Sequence, residues 1–169
     1  FQSDSLLYAL DPTDGGVAWS TDLRSAPNRY SPALADGRVV AAGRNSPDAE
    51  RRGSLSALDP ETGAVEWRVP TDAVSEPAVS SAGVVLATDP YGPAGGVRTV
   101  GLADGASLWT FTVPDGSYSN VPFRPTVADG TVYVAATLQT EGGTGGALYA
   151  LDAATGAKRW RRRASGRPS

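Results

Sequence analysis

The 169-residue chain contains no cysteine, no histidine and no methionine. Without Cys or His it has no disulfide, no thiol nucleophile, no imidazole base and no zinc site of the ordinary type. No window approaches the ~18 apolar residues of a membrane-spanning helix. Charge is close to balanced, with 15 Lys and Arg against 18 Asp and Glu and a net charge of -3. That leaves no basic surplus for nucleic acid, and the acidity is too mild for a polyanion mimic. Runs of helix formers are scarce as well. The opening Phe1-Gln2-Ser3 matches the end of a common protease-cleavable tag, and with the missing Met this marks residues 1–5 as a lead-in expected outside the fold.

What is present favours strands and turns. The chain holds 20 Gly and 13 Pro, and 40 % of its residues are hydrophobic, a composition of short strands joined by tight reversals. Fourteen of the fifteen basic residues are Arg, a bias associated with GC-rich bacterial genomes. Four stretches align on a shared ending: Ala9-Leu-Asp-Pro-Thr-Asp-Gly15-Gly-Val-Ala-Trp19, and the segments 57–67, 99–109 and 150–160. Each ends in a tryptophan (Trp19, Trp67, Trp109, Trp160) four residues after a glycine (Gly15, Gly63, Gly105, Gly156). All four tryptophans of the chain fall in this slot, at steps of 48, 42 and 51 residues.

Between these stretches a second unit recurs, as in Arg124-Pro-Thr-Val-Ala-Asp-Gly130-Thr-Val-Tyr-Val, with copies at 31–43 and 76–88. Asp-Gly between two apolar runs is a strong hairpin signal, because a type I′ turn needs positive φ at both central residues. The Pro falls at a strand start, where its missing N–H costs least. The Trp stretch reads as a second hairpin, with Gly supplying the left-handed turn residue. Two successive hairpins make a four-stranded antiparallel unit of strands A to D. The expected architecture is therefore an all-β β-propeller of four-stranded blades. About three and a half are present: a C–D half blade at 6–23 and full blades at 31–70, 76–113 and 124–163, followed by a tail or linker at 164–169.

The pattern Ala-x-Asp-x-x-Thr-Gly-x-x-x-Trp resembles the tryptophan-docking motif of the PQQ-like (quinoprotein-like, BamB-like) β-propeller repeat family. Such repeats build quinoprotein dehydrogenases, BamB-like outer-membrane assembly lipoproteins and extracytoplasmic domains of some bacterial Ser/Thr kinases. The resemblance covers residues 6–163. The segments 57–67 and 150–160 match in full. The first copy has Asp14 where Thr is usual, and the third has Gly101 for the Asp and Asp104 for the Thr. The Trp is expected to dock on the next blade, burying roughly 150–250 Å², with its indole N–H paired there. An arc short of a full ring leaves edges that invite self-association.

The A–B and C–D turns are short and alike, so their face reads as structural. The B–C and D–A connections are long and dissimilar, and function concentrates on such loops. The binding-face candidates are Arg29, Tyr30, Arg44, Asn45, Arg51, Arg52, Tyr91, Tyr118, Asn120, Phe123 and Arg124. Arg51 and Arg52 offer fork geometry to a phosphate or carboxylate, with Glu50 as an ordinary ion-pair alternative. The basic run 161–163 reads as a solvated strand end, and the glycine-rich 142–146 as a flexible B–C loop. Asp11, Asp59 and Asp152 recur before a turn, which argues for turn hydrogen bonds over a calcium site.

The expected function is a non-catalytic scaffold or sensor domain, outside the cytoplasm, binding a protein, peptide or small ligand on its loop face. Neither the quinone PQQ nor calcium is expected, nor nucleic acid, and membrane contact would come only through further sequence. The alternatives are a fragment of a PQQ-dependent quinoprotein dehydrogenase, a family that uses a quinone, a calcium ion, a catalytic Asp and often a vicinal Cys pair, or a carbohydrate-binding propeller. No position here matches that metal set or base.

Overall fold

A computed structural model describes residues 2–3, 5–23, 30–43, 53–71, 75–88, 95–114, 118–120, 124–140 and 143–164. These residues form strands and turns, with no helix among them. The strands build four antiparallel sheets, the blades of a β-propeller arc.

Blade 1 joins β1 (Gln2–Ser3), β2 (Leu6–Leu10) and β3 (Val17–Asp22). Gln2 and Ser3, placed in the lead-in by the sequence, pair with Leu7 and Leu6 and add a short third strand to the half blade. Blade 2 runs β4 (Ala33–Ala35), β5 (Arg38–Gly43), β6 (Ser54–Leu58), β7 (Val65–Pro70), each strand beside the one before it. Blade 3 repeats this with β8 (Ala78–Ser80), β9 (Gly83–Thr88), β10 (Gly96–Val100) and β11 (Ser107–Thr112). Blade 4 contains β12 (Tyr118–Asn120), β13 (Thr126–Ala128), β14 (Thr131–Thr140), β15 (Gly143–Asp152) and β16 (Lys158–Ala164).

Turn chemistry sets the hairpins. Asp36 and Asp129 are the non-glycine residues with positive φ (43° and 47°) among those described, each followed by a left-handed glycine (Gly37, 71°; Gly130, 66°). That is the type I′ signature. In blade 3 the reversal at 81–82 takes another form. The Ser80 hydroxyl accepts the N–H groups of Ala82 and Gly83 at 3.2 and 3.1 Å.

The C–D turn is the same in all four blades. The glycine N–H donates to the carbonyl four residues back, as Gly63 does to Asp59, and the residue at the Asp position donates to the carbonyl five residues on. The two departures from the motif keep one contact that the Thr supplies elsewhere. Asp14 accepts the N–H of Gly16 at 2.8 Å and Asp104 that of Ala106 at 2.9 Å, as Thr62 and Thr155 do for Ala64 and Ala157 at 3.3 Å.

Blade 4 differs from expectation on its loop side. Residues 143–146 are not a loop: Thr137↔Gly146 through Thr140↔Gly143 extend the β14–β15 ladder, leaving only 141–142 between the strands. Gly in β15 lacks a side chain but does not disturb pairing, and a ten-residue partner strand supplies the backbone bonds. Within the connection 114–124, also expected as loop, 118–120 forms β12 and pairs with 137–139 of β14.

The core lies between blades. Leu7 and Leu23 of blade 1 meet Ala41 and Leu58 of blade 2; Val40 and Leu55 meet Val84, Leu86 and Val100. Blade 3 presents Val85, Ala87, Val97 and Trp109 to Val132, Val134, Tyr149 and Leu151 of blade 4. Alternation along each strand lets one blade face both neighbours.

Candidate functional site

Each of three tryptophans reaches into the following blade. Trp19 donates its indole N–H to the Pro60 carbonyl at 2.9 Å, Trp67 to Leu102 at 2.8 Å and Trp109 to Ala153 at 3.0 Å. The rings lie against the motif glycines. A Cβ on Gly63, Gly105 or Gly156 would meet the ring of Trp19, Trp67 or Trp109 at 2.5, 2.8 and 2.6 Å. Glycine is thus required twice at this position, for its left-handed φ and for the flat approach of an indole.

The short strands β4, β8 and β13 begin on the face that carries the B–C and D–A connections, and β8 lies against both of the others. Each is preceded by Pro: Pro32, Pro77 and Pro125. The residues just before those prolines, Ser31, Glu76 and Arg124, occupy one repeat position and form a chain across three blades. Glu76 Oε1 accepts the backbone N–H of Ser31 at 3.2 Å, and Oε2 accepts Arg124 Nη1 at 3.1 Å. These contacts, those from Ser31 first, hold the Glu76 carboxyl below its ordinary range. Ser75 fixes the approach: its buried hydroxyl accepts from the Ala87 N–H at 3.0 Å and donates to the Glu76 carbonyl at 3.1 Å. Beneath lies an open groove of ≈ 290 Å³ bordered by Leu34, Pro77, Val79, Arg124 and Val127. Arg124 keeps 57 % of its side chain exposed, so its planar fork still offers donors to a carboxylate or phosphate.

Of the candidates read from sequence, Arg124 sits at this mouth. Tyr30, next to Ser31, is half-buried against the core between blades 2 and 3. Tyr118 and Asn120 lie in β12. Arg29, Arg44, Asn45, Arg51, Arg52, Tyr91 and Phe123 lie outside the described residues. Glu76 was missed. Its signal was present, since it stands in register with Arg124 before a Pro, but convergence of one repeat position at the axis shows only in the assembled arc.

The recurrent aspartates serve their own turns. Asp59 Oδ1 accepts the N–H groups of Glu61 and Thr62 and the Thr62 hydroxyl, and Asp152 repeats this for Ala154 and Thr155. The Arg159 guanidinium, at 2.8 Å, and the Thr155 contacts bring Asp152 down to about 2. Among the described residues no three Asp or Glu side chains gather as a metal site.

The family model described as outer membrane protein assembly factor BamB matches residues 93–169. The serine/threonine-protein kinase AfsK of Streptomyces coelicolor is 34 % identical over 155 residues, covering 91 % of this chain and 16 % of the kinase. Outer membrane protein assembly factor BamB of Yersinia pestis is 30 % identical over 171 residues, covering 94 % of this chain and 39 % of that protein. The chain thus spans well under half the length of either relative. In shape it is similar to BamB from Moraxella catarrhalis (TM-score 0.68, 22 % identity, 96 % of this chain and 44 % of that one). It is also similar to the quinohemoprotein alcohol dehydrogenase of Comamonas testosteroni (TM-score 0.74, 18 % identity, 95 % and 32 %). At such identities these structures speak to fold alone. Four tryptophan-ended repeats, four antiparallel sheets joined through three docked tryptophans and these similarities agree: the chain is built of PQQ-like, BamB-like β-propeller repeats.

Proposed function

We propose that this chain is a non-catalytic propeller scaffold that binds a protein, peptide or small ligand on its loop face, at the mouth formed by Ser31, Glu76 and Arg124. The observation that carries the reading is the Glu76 bridge, which brings one repeat position of three blades together above an open groove. An acid and a guanidinium side by side suit a ligand carrying both an anionic and a donor group, such as a peptide segment. The tryptophan contacts support a docking role for the motif, holding the blades rigid beneath that mouth. The named relatives, a protein kinase and an outer-membrane assembly factor, support a protein-binding or sensory role outside the cytoplasm.

The test is selection from a displayed random-peptide library against the native chain and a Glu76→Ala/Arg124→Ala double variant. Peptides held by the native chain should bind the double variant at least ~10-fold more weakly, about 1.4 kcal/mol. Peptides that bind both equally place the site elsewhere.

The second reading, a segment of a quinone-dependent dehydrogenase, is favoured by 32 % identity over 126 residues to a quinone alcohol dehydrogenase subunit of Gluconacetobacter polyoxogenes. It predicts saturable quenching of tryptophan fluorescence by the quinone with calcium. The scaffold reading predicts none.

A further inference from the structure

The Glu76 carboxylate gives one oxygen to each of two donors. Oε1 accepts the Ser31 N–H at 3.2 Å and Oε2 accepts Arg124 Nη1 at 3.1 Å. A backbone N–H and a guanidinium on either side of one carboxylate make a receptor for that group, whatever chain carries it. The Ser31 hydroxyl favours the charged form of the acid as well. Ser31 precedes β4 of blade 2, Glu76 precedes β8 of blade 3 and Arg124 precedes β13 of blade 4. The seat is thus made by blade 3 and its neighbours on both sides.

The frame of this seat is held, while the acid that fills it is loose. Pro32, Pro77 and Pro125 fix φ directly after the three residues. The buried Ser75 hydroxyl ties the Glu76 carbonyl to the Ala87 N–H, at 3.1 and 3.0 Å. Glu76 therefore reaches the seat by its side chain alone, and a change of rotamer vacates it without moving a strand. That side chain is 31 % exposed and Arg124 57 %, and an exposed ion pair of this kind is screened and weak. The blades hold without it, through their apolar cores and the three docked indoles. A second carboxylate can replace the first with little loss.

We propose that Glu76 is a built-in stand-in for the ligand. The seat between Ser31 and Arg124 takes a glutamate side chain of an acidic peptide, which displaces Glu76. The ligand chemistry is read from the present occupant, a glutamyl side chain on the residue before a Pro, a position biased to extended backbone. The rest of the peptide lies in the groove of ≈ 290 Å³ along Pro77, Val79 and Val127. This inference rests on the mouth being the ligand site, and adds that Glu76 competes with the ligand there. A competitor within the chain lowers apparent affinity by the fraction of time the seat is empty, so removing it raises affinity.

The test follows the Ser31 amide resonance in the native chain, Glu76→Ala and Glu76→Gln as N-acetyl-glutamate amide is added. The expected result is a saturable shift whose half-saturation is about 10-fold lower in Glu76→Ala than in the native chain, as for a seat empty a tenth of the time. Glu76→Gln, which keeps an acceptor for Ser31 but loses the charge facing Arg124, should fall between them. It carries the comparison if Glu76→Ala does not fold. Adding Arg124→Ala should remove the response, and N-acetyl-glutamine amide should give none. N-acetyl-leucine, whose carboxylate is a chain terminus, should bind more weakly; tighter binding of that probe overturns the side-chain assignment. A Ser31 amide that responds alike in all three proteins, or in none, overturns the proposal. Peptides selected on the native chain separate this inference from the site it rests on. If they lose affinity for the double variant yet bind Glu76→Ala no better than the native chain, the mouth stands and the stand-in falls. If they bind the double variant as well as the native chain, both fall.

Discussion

Trp67 and Trp160 share a ladder position and differ in what lies beyond them. Trp67 packs on Gly105 and gives its N–H to Leu102, so removing it leaves a cavity between blades and an orphaned carbonyl. Trp67→Ala should cost about 3–5 kcal/mol, whereas Trp160→Ala, with a ring 40 % exposed and Tyr133 beside it at 6.0 Å, should stay near the ~1 kcal/mol of an average substitution. Urea midpoints at constant m-value give both numbers. A Trp67→Ala loss under ~1 kcal/mol would remove indole docking as the clamp between blades. Glycines divide the same way: a Cβ on Gly130 meets nothing, while one on Gly105 meets the Trp67 ring at 2.8 Å.

At the scale of one element, the C–D turn shows how a repeat tolerates drift. The backbone ring is identical in four copies, and a side-chain oxygen one residue before the glycine caps it whether Thr or Asp supplies it. Where Asp precedes the turn its carboxylate accepts those N–H groups more strongly when ionised. In Asp152 the folded value of about 2 lies below the ordinary 3.8, so its contribution is present above about pH 4 and is lost as pH falls towards 2. Asp152→Asn should therefore flatten the loss of thermal stability across that window relative to the native chain, with little change in slope at pH 5–7. An equal decline in both would show that Asp152 does not drive it. The sequence read this turn well because every partner lies within a few residues. It misread 143–146, where Gly and Thr look like a loop and only pairing with β14 makes a strand.

For the whole molecule, blades 2 and 3 each bury their faces against two neighbours, the arrangement of a quasi-one-dimensional array. The junction of Trp19 with blade 2 and that of Trp109 with blade 4 share no residue. Their Ala substitutions should add within about 0.5 kcal/mol in a double-mutant cycle, read from denaturant unfolding. A larger coupling would mean that the arc unfolds as one interlocked ring segment.

The blade, the turn and the docking slot were legible in the sequence because they depend on local chemistry repeated three or four times: Asp-Gly for positive φ, Pro at a strand start, Gly four residues before Trp. Tertiary structure alone decided what those repeats bring together. Ser31, Glu76 and Arg124 are 45 and 48 residues apart, and nothing local announces that a Ser, a Glu and an Arg will meet. They do so because the innermost strands converge on one axis, so a single repeat position becomes three neighbouring side chains. Likewise Trp160 reads as one more docking residue, and its exposure follows only from the absence of a following blade among the described residues.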